Sequence, residues 1–404
     1  MKTSIKTVLS SALLIGTLSS TATAAEIKKS TVVLVHSAFT GPWAMESVAT
    51  ELRKSGYNVI LPELPAHGSD KTLAKDVQFS DYVTKVVSEL DKQDDKVILL
   101  GHSFAGTIIS EAAEQRPEKI QSLVYLAAGL LPNGASFFDT IKDSGSVLVK
   151  NLEINEEKGY VTVGNDKTHE AYSQDVPLEQ FKAAEKFVVP EPLAPLLHKV
   201  ELSEEKFGKL PKYYIQALRD NAIPQSLQRK MYTETKVKQV FTITSGHAPN
   251  LSQPGKVADI LKTINSIENK KLSHKVEQKV KKEIIAMTDK WQKGFNLDAK
   301  AKKAKNTFRD YSANAILQSM PEAFGTVQGK ENIAKYWQVV LNTGAADMKY
   351  LDRNIIVVDE KTALLSSPWS MNKIKGIITL EKWVKKGNKW VLIEDNFEAL
   401  EFLK

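Results

Sequence analysis

The sequence predicts a doubly wound α/β sheet with a helical cap, followed by a second, smaller α+β domain. Three observations predict it. From Ser30 to about Ile264, continuous apolar runs alternate with amphipathic stretches, as in a parallel sheet covered by helices on both faces. One stretch, Leu131–Leu210, interrupts that rhythm with mixed polar sequence that includes Pro177, Pro190, Pro192 and Pro195. Beyond residue 290 the composition shifts, and five of the six tryptophans lie there.

Taken in order, Met1–Lys6 carries two lysines, Val8–Leu18 is a short apolar run, and Ser19–Ala25 is small and polar. That is the pattern of a cleaved secretory signal peptide over residues 1–25, and the run is too short to span a membrane. An exported, periplasmic or secreted protein of bacterial type is expected. Strands are predicted at Thr31–Val35, Asn58–Leu61, Lys96–Leu100, Ile120–Leu126, Tyr213–Ala217 and Val237–Thr244. Helices are predicted at Trp43–Ser55, Phe79–Leu90, Ala105–Gln115, Gln225–Thr233 and Gly255–Ser266. The strands are apolar throughout rather than alternating, which buries both faces. Leu131–Leu210 reads as a cap inserted between two strands. Polar, Lys-rich Asn269–Lys282 reads as a linker or the exposed start of the next helix. The first domain is thus set at 26–268, the linker at 269–282 and the second domain at 283–404. In the latter, helices are predicted at Glu283–Asn296 and Lys330–Asn342. Antiparallel strands follow at Met348–Val358, Thr362–Met371, Gly376–Lys385 and Lys389–Phe397.

Composition excludes several classes. A net charge of +7 over 404 residues, with no long basic block, gives no footprint for nucleic acid. The absence of cysteine excludes disulfides, thiolate nucleophiles and Cys-ligated zinc.

The chemistry is expected in the first half. Lys96–Gly106 reads KVILLGHSFAG, a buried strand running through Gly101-His102-Ser103-Phe104-Ala105-Gly106 into a helix. Such a turn lifts a serine oxygen clear of the sheet at a helix N-terminus, and small neighbours let strand and helix approach. Ala105 stands where a second glycine is usual, a change of one methyl. A serine hydroxyl needs a base, and the base an orienting acid. Asp220 follows the strand Tyr213–Ala217 and His247 follows the strand Val237–Thr244, in the chain order Ser, Asp, His. The rival acid position after Ile120–Leu126 offers only Ala127-Ala128-Gly129. The other six histidines lie in turns, cap or linker and read as structural or solvated. Two backbone N–H groups must hold a developing oxyanion: that of Phe104, after the nucleophile, and that of Ala38, in the loop His36–Gly41 after the first strand.

Residues VLVHSAFTGPWAMESVATELRKSGYNVILPELPAHGSD, LLGHSFAG, PLAPL with KFGKLPKYYI, RDNAIPQSLQRKM and SGHAPNLSQPGKVADIL together resemble the α/β-hydrolase superfamily. They are most similar to the branch of bacterial pyrethroid-hydrolase-like esterases, plant methylesterases and hydroxynitrile lyases. The resemblance covers roughly 30–265. It implies Ser103 as nucleophile, His247 as base, Asp220 as orienting acid, and Ala38 and Phe104 as oxyanion donors. Ser37 replaces a glycine common in the esterases, where the plant lyases carry a hydroxyl residue. Those lyases have a lysine just after the histidine, and here Ala248-Pro249-Asn250 follows.

The second half, roughly 280–404, resembles the ketosteroid-isomerase-like, SnoaL-like cone fold. The features are the Trp291 helix, Gly329–Ile333 with Tyr336-Trp337, and the strand pair around Trp383 and Trp390 ending Ile393–Phe397. Members of that superfamily are enzymes, binders or dimerisation modules. Asp395 or Tyr311 could line a pocket; the plainer expectation is a surface acid and a packed phenol, with the tryptophans as sheet filling. The expectation is an exported serine hydrolase of small carboxylic esters, with no cofactor, no metal and no stable membrane span, able to form a homo-oligomer through its second domain. Phe187–Val189 and Leu193–Leu197 of the cap should shape an apolar pocket. The rival is a small-molecule-binding protein using the cone domain, and a hydroxynitrile-lyase-like enzyme stands behind both. Every candidate catalytic residue precedes the linker, so the first half is expected to be self-sufficient.

Overall fold

The computed structural model describes residues 28–164, 167–321 and 325–402. The signal-peptide expectation therefore falls outside the described residues. The first domain is built on six parallel strands: β1 (Val32–Val35), β2 (Val59–Ile60), β3 (Val97–His102), β4 (Ile120–Leu126), β8 (Lys212–Ala217) and β9 (Gln239–Ile243). They lie in the order β2-β1-β3-β4-β8-β9. Apart from Ile60 of the short β2 and Gln121 of β4, the residues of these strands are buried, because helices cover both faces. On one side α2 (Phe79–Asp91) and α3 (Ala105–Gln115) bury Tyr82, Val86, Ile108 and Ile109. On the other, α1 (Glu46–Lys54) and α11 (Pro254–Glu268) bury Leu52, Leu261 and Ile264. Continuous apolar strand sequence is what a sheet dry on both faces demands.

The chain leaves β1 toward β2 on one side and returns to β3 on the other. The carboxyl ends of β1 and β3 consequently open a crevice where the order reverses, the place where such sheets gather their ligands.

The interruption between β4 and β8 is a cap. It contains a small antiparallel sheet of β5 (Leu152–Asn155), β6 (Tyr160–Val163) and β7 (Glu191–Pro192). Short helices surround it: α4 (Phe137–Ile141), α5 (Val147–Lys150), α6 (Thr168–Tyr172), α7 (Leu178–Glu185) and α8 (Leu193–Leu197). After β8 come α9 (Gln225–Glu234) and α10 (Pro249–Ser252). The cap strands were not foreseen, since each is only two to four residues long.

The second domain opens on a long helix. Helix α12 spans His274–Ala301, with the Ser273 side chain accepting from the Val276 N–H at its start. Most of the predicted linker is thus the exposed first turns of a 28-residue helix. Helix α13 (Lys330–Asn342) follows β10 (Tyr311–Met320) and β11 (Thr326–Gln328). Then come β12 (Lys349–Tyr350), β13 (Asn354–Asp359), β14 (Thr362–Ser370), β15 (Ile374–Lys386) and β16 (Lys389–Phe402). The sheet order is β11-β10-β16-β15-β14-β12, with β13 also on β14. Strand β10 is not foreseen from the sequence, because YSANAILQSM breaks its alternation at Ala315-Ile316-Leu317 and has no apolar run of strand length. Its parallel pairing with β16 supplies the missing support. All five tryptophans beyond residue 290 are buried, and Trp291, Trp337, Trp369, Trp383 and Trp390 belong to this domain's core.

The two domains share apolar surface. Ile356, Val358, Leu364 and Leu380 of the second sheet are buried in the same cluster as Phe241 of β9 and Ile260 and Ile264 of α11. The open edge of the first sheet at β9 is covered in consequence. Gln239 donates to the Thr379 carbonyl at 2.7 Å and Asn396 to the Thr242 hydroxyl at 2.6 Å. Such cover protects an edge strand from pairing with other chains.

Candidate active site

Ser103 sits where β3 passes into α3, with a φ of 57°. A non-glycine residue holds this conformation only under constraint. The constraint is local: Ser103 N–H donates to the Leu126 carbonyl at 3.1 Å, and the Ser103 carbonyl accepts from the Gly129 N–H at 3.0 Å. The crossing is so close that a Cβ on Gly101 would lie 2.5 Å from the Ala105 carbonyl oxygen. One on Gly106 would lie 2.4 Å from that of Gly129. Glycine is needed at 101 and 106, and the methyl of Ala105 is accommodated, fully buried.

The structure brings the three sequence-predicted residues together. Ser103 Oγ lies 2.8 Å from His247 Nε2, and His247 Nδ1 lies 2.8 Å from Asp220 Oδ2. With Nδ1–H donating to the carboxylate, Nε2 is left to accept from the serine hydroxyl. Asp220 is itself fixed: Oδ1 accepts the N–H groups of Ala222 and Ile223 at 2.7 and 2.8 Å, and Oδ2 accepts from Gln228 Nε2 at 2.9 Å. Sequence reasoning missed Gln228. It lies eight residues along the chain on α9, fully buried, and a lone glutamine in a helix carries no signal.

His102 lies behind the turn, its ring centroid 5.0 Å from that of His247, and its Nε2–H donates to the His247 carbonyl at 2.8 Å. Burial, and then the neighbouring His247, hold its pKa far below the ordinary histidine value, so it is a neutral support.

Ala38 lies in the loop after β1, and Phe104 follows Ser103 at the start of α3. Among the described residues neither backbone N–H has a protein acceptor. The Phe104 ring is buried against Phe79, Tyr82 and Phe137. Beside them is a hydroxyl cluster. Ser37 Oγ is 3.2 Å from Thr40 Oγ1 and also hydrogen-bonds the Tyr172 hydroxyl. The Tyr172 ring meets His247 edge-on at 4.9 Å.

Tyr172 also belongs to the wall of a cavity of about 380 Å³ under the cap, together with Thr40, Trp43, Phe181, Val188 and Val189. The volume suits a small, mostly apolar molecule. Val188 and Val189 line it as expected, but Leu193–Leu197 do not. That segment is helix α8, and Leu196 packs into the main core. Phe187 is half exposed and leans on Trp43 at 6.0 Å.

The second domain corrects a further expectation. Asp395 is buried, not a surface acid, and accepts a hydrogen bond from the Tyr311 hydroxyl. Glu381, also buried, accepts from Tyr350 Oη at 2.6 Å and from Trp383 Nε1 at 2.8 Å. Burial drives Glu381 up to about 7; burial and the charge of Glu381 drive Asp395 up to about 8.

A serine on a strained strand–helix turn, bonded through histidine to a carboxylate, is the arrangement of hydrolases built on a doubly wound sheet. The chain belongs to the alpha/beta hydrolase family, whose family model matches residues 32–260. It is 30% identical over 258 residues to a putative chloroplastic methylesterase, number 12, of Arabidopsis thaliana, covering 60% of this chain and 73% of that one. It is 30% identical over 268 residues to an alpha-hydroxynitrile lyase of the same plant, covering 59% of this chain and 97% of that one. A solved pyrethroid hydrolase from Sphingobium faniae superposes with a TM-score of 0.54 at 25% identity, covering 59% of this chain and 98% of that one. These matches fall short of the second domain.

Proposed function

We propose that the protein is an exported serine hydrolase of small carboxylic esters, acting through Ser103, His247 and Asp220. The observation that carries this reading is the hydrogen-bonded row Asp220, His247, Ser103, with 2.8 Å at each link. The naming of relatives as methylesterase and pyrethroid hydrolase supports an ester bond as the target. Ser103 Oγ attacks the ester carbonyl while His247 Nε2 takes its proton, and the imidazolium is steadied by Asp220. The N–H groups of Ala38 and Phe104 hold the oxyanion. Collapse expels the alcohol, protonated by His247, and leaves the acyl group on Ser103. Water, deprotonated by His247, then attacks the acyl-enzyme and returns the serine and the carboxylic acid. The acyl or alcohol moiety occupies the apolar cavity beside Tyr172.

The test is labelling by a fluorophosphonate probe together with turnover across aryl and alkyl esters of graded length. Failure of both would favour a binding protein using the second domain, which we read as a SnoaL-like cone with its curved sheet folded over α12 and α13. Export is tested by the N-terminal mass of the protein recovered outside the cytoplasm, expected to begin after Ala24 or Ala25.

One observation favours a second reading: the Ser37 hydroxyl bonds Tyr172, whose ring packs on His247, and a lyase is among the relatives. Ala248 follows His247 where those lyases place a lysine. Release of cyanide from an aromatic cyanohydrin, without ester turnover, would decide for the lyase.

A further inference from the structure

The loop that carries Ala38 is held from the cap. Phe39 has a φ of 65°, a conformation that a bulky side chain adopts only when its surroundings impose it. Its peptide groups are tied to the cap on both sides. The Phe39 N–H donates to Glu191 Oε2 at 3.0 Å, and the Phe39 carbonyl accepts from the Val189 N–H at 2.9 Å.

Glu191 is fully buried, and its carboxylate has two further partners. Tyr82 donates its hydroxyl to Oε1 at 3.1 Å, and His67 Nε2 lies 2.8 Å from Oε2. His67 Nδ1 lies 2.9 Å from the Pro65 carbonyl. Both ring nitrogens face oxygens, an arrangement that favours the doubly protonated ring beside the carboxyl group. Burial opposes that charge, but the charge and hydrogen bond of Glu191 outweigh it and raise the His67 pKa. His36, with its ring centroid 5.1 Å from His67, is the neutral counterpart. Its Nδ1–H donates to the Ser37 carbonyl at 3.0 Å, and its Nε2 accepts from the Leu64 N–H at 3.3 Å. Burial and the neighbouring His67 push it down to about 3. Both neighbours of Ala38 are fixed in this way, Ser37 through His36 and Phe39 through Glu191.

We propose that Glu191 is a positioning residue: paired with His67, this cap carboxylate clamps Phe39 and so aims the Ala38 N–H at the oxyanion. The inference rests on the ester-hydrolase reading above and deepens it. A cap seated on the core completes the oxyanion site, and a cap lifted from it releases Phe39 from its constraint. A buried ion pair that served only folding would leave turnover per folded molecule unchanged.

The experiment compares wild type, Glu191→Ala and Glu191→Gln on an activated aryl ester, with turnover normalised to sites titrated by a fluorophosphonate. Glu191→Ala is expected to lower kcat by roughly 10- to 100-fold with KM within about threefold, because a misplaced donor is felt mainly in the transition state. Glu191→Gln with its amide oxygen at the Oε2 position still accepts from the Phe39 N–H and from His67 Nε2–H, and its NH2 faces the Tyr82 hydroxyl, which can accept. It should restore kcat to within about fivefold of wild type. Should Glu191→Ala fail to fold, Val189→Pro removes the N–H that holds the Phe39 carbonyl and leaves the buried pair intact; it should lower kcat, while a change in KM would reflect only its place in the cavity wall. An active wild type with an unaffected kcat in Glu191→Ala or Val189→Pro overturns the clamp by itself, as does a glutamine variant no better than alanine. A wild type inert to both ester and probe overturns the hydrolase reading, and the clamp with it.

Discussion

Gln228 binds Asp220 Oδ2, the Ile223 carbonyl at 2.7 Å and, through its own carbonyl, the Ala217 N–H at 3.1 Å. It thereby joins β8, the loop bearing Asp220, and α9. Replacing it with alanine strands several buried groups, so Gln228→Ala should cost about 1–3 kcal/mol of stability and lower kcat by roughly tenfold through a looser Asp220. Thermal melts and kcat measured side by side check both, and an unchanged kcat would remove Gln228 from the catalytic support. Ser103→Ala and His247→Ala should each cost about 10⁴ or more in ester turnover, since such groups act as a unit. Asp220→Asn should lose less than either. Near wild-type turnover in Ser103→Ala would end the proposed mechanism. Ser103, Asp220 and His247 were legible because each follows a recognisable strand. Gln228, Tyr172 and Glu191 were not, because their roles come from partners 8, 135 and up to 152 residues away in the chain.

The passage from β3 to α3 shows how little room an element can leave. A Cβ at Gly101 meets backbone, not a side chain that could swing aside. Gly101→Ala should therefore yield insoluble or unfolded protein, as checked by soluble yield and circular dichroism, whereas alanine is already present at 105. In the second domain, strands β15 and β16 present Glu381 and Asp395 to the same buried interior, where burial raises the pKa of both. The folded pKa values, about 7 and about 8, lie above those of an unfolded carboxyl near 4. Between these limits the native state binds more protons than the unfolded one. Their contribution to stability is therefore full below about pH 4 and is lost as pH rises through 7 to 8. The melting temperature should fall from pH 5 to pH 9, and Asp395→Asn should flatten that slope. A melting temperature that rises over the same range would contradict the assignment.

Across the whole molecule, the position of the polar segment at 269–282 suggests a hydrolytic half that stands alone, but the folded chain is less divisible. Leu380, 2% exposed, belongs to the same apolar cluster as Phe241 and Ile264 of the first domain. Leu380→Ala should cost about 2–5 kcal/mol and lower the unfolding midpoint while leaving kcat per titrated site unchanged. A drop in kcat would show that the second domain reaches the active site. By itself the sequence determined the strand–helix alternation, the cap as an interruption and the order Ser103, Asp220, His247. These are written in local signals: apolar runs of strand length, small residues at one tight turn, and the residues that follow each strand end. Only the tertiary structure decided that α12 absorbs most of the apparent linker, that β10 is a strand, and that Asp395 is buried. It alone placed the second sheet over the edge strand β9 and set Glu191 against the loop of Ala38. Each of these depends on burial supplied by residues distant in the chain, and a segment's own composition does not record what will come to lie against it.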